Sequence, residues 1–126
     1  MQRVLKKIFK ELRAMKLVRG DADPEVEVEL LLNDELKKLK KEYLKKDAET
    51  VDVLSFPNKN FPVPGKKQYL GEIYLNREIV NRDPSRGIFL LLHGVLHLIG
   101  YRHDNKHDTI VMERLEQEII HALGSE

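Results

Sequence analysis

The sequence predicts an α+β fold: one layered domain over residues 1–126, with a mixed β-sheet of three to four strands covered by helices. Three observations lead there. Charged and apolar residues alternate in "EVEVELLL" from Glu25 and again in "YLGEIYLN" from Tyr69, the two-residue period of half-buried strands. Other stretches repeat apolar residues every three or four positions, the helical period. The strands that start near Val51 and Tyr69 have no helix between them, while a helix separates the first two strands, so the sheet is mixed.

Val4, Leu5, Ile8, Leu12, Met15 and Leu17 fall at near-helical spacing, so residues 4–18 read as an amphipathic helix ended by Gly20. "GDADP" is a loop before the first strand at Glu25. Asn33 is a suitable N-cap for "NDELKKLKKEYLKK", with Leu36, Leu39 and Tyr43 on one face. "VDVLSF" is the second strand, stopped by Pro57, and "NKNFPVPGKKQ" is a loop rich in proline and glycine. The third strand, "YLGEIYLN", leads into a short helix, "REIVNR", closed by "DPSRG". A long apolar helix runs from about Ser85 to Ile99 and ends at Gly100. The last helix covers roughly Lys106 to Leu123, with Val111, Leu115, Ile119, Ile120 and Leu123 inward and Gly124 closing it.

Composition narrows the chemistry. The chain has no cysteine, which excludes disulfides, thiolate metal sites and thiol nucleophiles; any metal must be held by nitrogen and oxygen. With 22 Lys and Arg against 21 Asp and Glu, the chain is not basic overall, so nucleic-acid binding would depend on where charges cluster. No apolar run is long enough for a membrane span, and lysines and arginines interrupt every apolar segment of the N-terminus. A cytoplasmic protein with no membrane partner is expected.

Three of the five histidines lie in "HGVLHLIGYRHD". His93 and His97 are four apart and share one helix face, so both imidazoles can reach one ion. Gly100 can turn the chain back, and His103 then offers a third imidazole. The helix around the pair is apolar on nearly every side and is expected to be buried. A single histidine there would more often be an ordinary core residue bonded to a carbonyl. Three in this spacing point to a metal site on a buried helix. One zinc per chain is expected, with the fourth position open as in catalytic sites, and nickel suits the same three imidazoles. Metallopeptidases of the metzincin type share the spacing but carry glutamate directly after the first histidine. Here Gly94 stands there, which disfavours a peptidase.

"HGVLHLIGYRH" resembles the signature H-G-x-L-H-L-x-G-Y-D-H of the YbeY family of metal-dependent endoribonucleases. "VDVLSFP" at Val51–Pro57, "LGEIYLN" from Leu70, and Met112, Glu116 and "EIIHALG" resemble further segments of that family, in order from about Val26 to Gly124. The resemblance implies zinc on His93, His97 and His103. It also implies cleavage of single-stranded RNA in ribosomal RNA maturation, notably at the small-subunit 3′ end, with the small ribosomal subunit as partner. Arg102 stands where the family has Asp, and Lys45 lies nearest to a family Arg. Lys45 would contact phosphate as a point charge, without the bidentate fork. The family's usual first strand has no counterpart ahead of the first helix. A metal-stabilised RNA- or ribosome-binding protein with little catalysis is the alternative that Arg102 and Lys45 favour.

The remaining candidates have bland readings. Lys37, Lys38, Lys40, Lys41 and Lys46 read as a solvated helix face, and Lys66 and Lys67 as a surface loop. Asp104 reads as the N-cap of the last helix, and His107 and His121 as surface residues. Ser55 has no base set beside it.

Overall fold

The structure, a computed structural model, describes residues 1–20, 22–58 and 68–124. The loop expected through Lys66 and Lys67, and Asp21 in the "GDADP" loop, therefore lie outside the described residues. Eight elements follow in order: α1 (Gln2–Ala14), β1 (Glu25–Leu31), α2 (Asn33–Leu44), β2 (Val53–Pro57), β3 (Tyr69–Asn76), α3 (Arg77–Arg82), α4 (Pro84–Leu98) and α5 (Lys106–Gly124). The three strands form one sheet in the order β1-β3-β2, with β1 parallel and β2 antiparallel to β3. The α+β class and mixed sheet are as the sequence predicts, with three strands among the described residues.

The pattern of each strand decides its faces. Along β1 the glutamates are exposed and the valines between them half-buried. On β3, Ile73 and Leu75 enter the main core with Leu5, Ile8, Phe9 and Leu12 of α1, the apolar residues of α4, and Met112 and Ile119 of α5. Leu36 of α2 packs with Val51 and Leu54 in a second, smaller cluster that also takes in Phe56 and Tyr74. The alternation of β3 breaks at Gly71, where the register against β1 shifts. Its φ of +138°, and an added Cβ that would sit 2.2 Å from the Phe56 carbonyl oxygen, leave room for glycine alone.

Several boundaries differ from the sequence expectation for local reasons. α1 stops at Ala14, not near Gly20, because Lys16 takes the left-handed conformation (φ 61°) that closes the helix. The Lys16 and Leu17 N–H groups then donate to the carbonyls of Arg13 and Leu12. Asn33 is not the N-cap of α2; Leu32 is, and its N–H donates to Glu35 Oε1 at 3.1 Å. The Asn33 amide instead ties the start of α2 to the approach of β2, accepting from Val51 N–H and donating to the Glu49 carbonyl, each at 2.9 Å. Buried Asn76 extends that link by donating to the Val51 carbonyl while capping α3 through Glu78 and Ile79 N–H.

α4 begins one residue early, at Pro84, with the Asp83 carboxylate accepting from Arg86 N–H as its cap. Asn105, not Asp104, caps α5: its Oδ1 accepts from Asp108 N–H at 2.9 Å. α5 turns Leu115, Ile119, Ile120 and Leu123 toward the core as expected, but not Val111. Val111 faces outward and Met112, Glu116 and Ile119 are buried. No helix among the described residues is long and apolar enough to cross a membrane.

Candidate metal centre

α4 carries the first two ligand candidates because its core face leaves it nowhere to move. Leu91, Leu92, Val95 and Leu96 are fully buried around His93. Gly94 lets α4 sit directly on β3: a Cβ there would lie 3.0–3.3 Å from the side-chain carbons of Ile73. The expected close approach at Gly94 is thus made by the core. It also bears on the peptidase reading, since a glutamate side chain starting there would run into Ile73.

The end of α4 positions the second ligand candidate. Gly100, at φ +109°, donates its N–H to the His97 carbonyl, and Tyr101 N–H donates back to the Leu96 carbonyl. These paired bonds close the helix in a Schellman turn, which needs a residue that tolerates positive φ. The same turn brings the Tyr101 carbonyl oxygen to 2.8 Å from His97 Nδ1. His103 follows at the exposed end of the turn, its ring centroid 4.9 Å from that of His97 and 5.5 Å from that of His93.

The first ligand candidate is held from across the core. His93 Nδ1 lies 2.9 Å from Oε2 of Glu116, which is almost fully buried on α5. A carboxylate and a carbonyl only accept hydrogen bonds, so Nδ1 is the donor in both histidines and Nε2 is left with its lone pair. The two Nε2 atoms face each other at 3.0 Å. Two lone pairs at that distance repel unless a cation sits against both.

The geometry therefore fits a metal ion. One ligand atom from each of His93, His97 and His103 lies within 4.8 Å of the others. Two nitrogens on a tetrahedral zinc at the usual bond length are roughly 3.3 Å apart, close to the separation found here. Imidazole donors with their other nitrogen hydrogen-bonded to a carboxylate or backbone carbonyl are what such sites use. Burial, then the neighbouring His93, hold the pKa of His97 below the ordinary histidine value, which keeps it neutral and able to ligate.

The three histidines open into a cleft of about 430 Å³. One wall is β2, through Val53, Leu54, Ser55 and Pro57, with Leu44 from the end of α2 beside it. The rim is Arg102 and Asp104, both largely exposed and 4.0 Å apart. Lys45 follows Leu44 directly but does not reach the cleft here. It ends α2 in the left-handed conformation, and its Nζ donates to the Glu42 carbonyl at 2.8 Å. His107 and His121 are exposed and stand apart from the cluster. Sequence reasoning placed Glu116 in the family-like closing helix but missed its contact with His93. Besides that resemblance, its one signal was a polar residue in phase with Met112 and Ile119 on the buried face of α5.

Comparison with known proteins agrees with this geometry. A family model described as endoribonuclease YbeY matches residues 1–124. The chain is 34% identical over 119 residues to an endoribonuclease YbeY of Dichelobacter nodosus, covering 88% of this chain and 76% of that protein. It is 36% identical over 113 residues to an endoribonuclease YbeY of Rhodospirillum rubrum, covering 79% of this chain and 56% of that protein. The solution structure of TM1509 from Thermotoga maritima superposes with a TM-score of 0.54 at 25% identity, over 98% of this chain and 86% of the other.

Proposed function

The chain belongs to the YbeY family of endoribonucleases, hydrolases of RNA phosphodiester bonds, and on that premise we propose that it is a zinc-dependent, single-strand-specific nuclease. We assign it to ribosomal RNA maturation, at the small-subunit 3′ end, and to ribosome quality control. In this reading it acts in the cytoplasm as one unit over residues 1–126, with the small ribosomal subunit as partner. The observation that carries the reading is the pair of Nε2 atoms facing each other at 3.0 Å while acceptors hold both Nδ1 atoms.

His93, His97 and His103 would hold the ion. Bound there, zinc supplies Lewis acidity toward a phosphate oxygen in the cleft. The chain's own groups do the rest. Glu116 and the Tyr101 carbonyl fix which imidazole nitrogen faces the cleft. The wall of β2 and Leu44 is partly apolar, which suits the unstacked bases of a single strand. Arg102 on the rim holds a flanking phosphate. Lys45, exposed and next to Leu44, would leave the Glu42 carbonyl to neutralise another.

The test pairs elemental analysis of the purified protein with cleavage of matched single- and double-stranded RNA. One zinc per chain, cleavage of the single strand only, and loss of both in a His93→Ala, His97→Ala protein are expected. Metal-free wild-type protein, or cleavage that survives the double substitution, overturns the reading.

One observation favours a second reading, a metal-stabilised RNA-binding protein with little catalysis. The single carboxylate lining the cleft among the described residues, Asp104, is exposed and faces Arg102, so no buried proton acceptor is in place. RNA binding with full zinc occupancy and no cleavage identifies that case.

A further inference from the structure

We propose that the cationic face of α1 is a second RNA-docking surface, distinct from the histidine cleft, that grips the phosphate backbone of longer RNA. Only the class of partner rests on the reading above. Arg3, Lys6, Lys7, Lys10 and Arg13 are spaced by three, four, seven and ten residues from the first, so they share one side of the helix. With Asp23 they line a single shallow hollow of about 620 Å³. Against these five cations α1 has one acid, Glu11, which is half-buried. Arg13 is held by Asp23 and by the Gly20 carbonyl. Arg3, Lys6 and Lys7 are exposed and have no carboxylate partner among the described residues.

This arrangement works against the helix that carries it. Arg3–Lys7 and Lys6–Lys10 are like charges four apart, and Arg3–Lys6, Lys7–Lys10 and Lys10–Arg13 are like charges three apart; each such pair destabilises a helix. The first turn has no acidic residue and holds Arg3 against the positive end of the helix dipole. α2 shows the contrast. Its lysines share the helix with Asp34 and Glu35 in the first turn and with Glu42, a distribution that needs no outside anion. A polyanion laid along α1 would relieve every one of its repulsions at once.

Two further observations choose the partner and the place. The opposite face of α1, Leu5, Ile8, Phe9 and Leu12, is buried in the core, so the helix has no apolar face to insert into a lipid surface. α1 also borders β1, where Leu5, Lys6 and Phe9 share a groove with Glu25 and Glu27. The histidine cleft borders β2 instead, and the sheet order β1-β3-β2 sets those two strands at opposite edges. An RNA that fills only the cleft does not reach α1. A longer one that crosses the sheet does.

The experiment compares a protein carrying Arg3→Gln, Lys6→Gln and Lys7→Gln with wild type, on a hexanucleotide and on a long ribosomal RNA fragment. Glutamine keeps helix propensity, and circular dichroism checks that the fold survives. For the long RNA, the slope of log affinity against log salt should shrink by about 2, three phosphate contacts at roughly 0.7 each, with affinity lowered about tenfold or more at low salt. Hexanucleotide cleavage should not change. An unchanged slope for long RNA overturns the proposal, as does an equal loss on both substrates. So does lost binding to polyglutamate or to phosphatidylserine vesicles with RNA binding intact, which would make the surface a contact for an acidic protein or a membrane. Binding is read with and without chelator. A lost slope in a protein that cleaves nothing therefore defeats the nuclease reading and leaves this one standing.

Discussion

Oε2 of Glu116 lies 2.9 Å from Nδ1 of His93, joining two residues that are 23 apart in the chain across the packing of α5 on α4. The contact orients His93, the first ligand candidate, and fixes its tautomer. It also explains a nearly buried acid in a core of methionine and isoleucine.

Replacing Glu116 should therefore weaken metal binding without touching a ligand. Glu116→Gln keeps an acceptor oxygen and the shape, and is expected to lower zinc affinity by about tenfold. Glu116→Ala should lower it by up to about 100-fold, the usual range for such supporting groups. Competition with a chromophoric chelator measures both. Equal affinities for all three proteins would make Glu116 a packing residue only.

The pH dependence follows from His97. Burial first, then the neighbouring His93, lower its pKa below the ordinary 6.5, with the Tyr101 carbonyl pulling the other way. In metal-free protein the unfolded chain then binds more protons than the folded one as pH drops below 6.5. Folding stability should fall with pH over that window and level off once the folded-state pKa is passed. Zinc should be lost under acid, because protons compete with the ion for the imidazole nitrogens; the lowered pKa of His97 weakens that competition at His97 itself. Urea midpoints of chelated protein between pH 7.5 and 5 read the first effect, and His97→Gln should flatten part of the slope. A midpoint that rises on acidification contradicts the sign.

Much of the site was legible because its logic is local. The His93–His97 spacing needs only one helix, and the turn to His103 needs only Gly100. Glu116 was not legible as a partner of His93, since that contact depends on how two helices rotate against each other. The same rotation put Met112 inside and Val111 outside, against an apolar count that treats them alike. The helix ends were misread where side chains compete for one job. Asn33 looks like a cap, but its amide is engaged at Val51 and Glu49. Gly20 looks like a stop, but Lys16 adopts the left-handed turn four residues earlier.

Gly94→Ala sets two effects against each other. In an open helix alanine is more stable than glycine by about 1 kcal/mol. Here the new methyl would meet Ile73 at 3.0–3.3 Å, and Ile73 is fully buried in the core, so a neighbour must give way. Overpacking of this kind typically costs about 1–3 kcal/mol, so the net change should be destabilising. His93, the preceding residue, should shift with the backbone, and zinc affinity should fall as well. Adding Ile73→Val should restore part of the stability by removing a methyl group from the contact. Stabilisation by Gly94→Ala alone would show that α4 and β3 have slack between them.

Lys45 joins a backbone cost to a chemical role, and one substitution separates the two. Its φ of 56° lies in the left-handed region, which a side chain other than that of glycine or asparagine occupies at a cost. Lys45→Gly should relieve that strain and raise stability by about 1 kcal/mol, read from the urea midpoint. The same change removes the amino group one residue past Leu44, at the wall of the cleft. If Lys45 contacts phosphate, kcat/KM on single-stranded RNA should fall even as the protein becomes more stable, and Lys45→Arg should recover activity while keeping the strain. A damaged fold cannot produce that pair of opposite changes. Greater stability with unchanged cleavage would reduce Lys45 to the cap of α2, and phosphate binding in the cleft would then fall to Arg102.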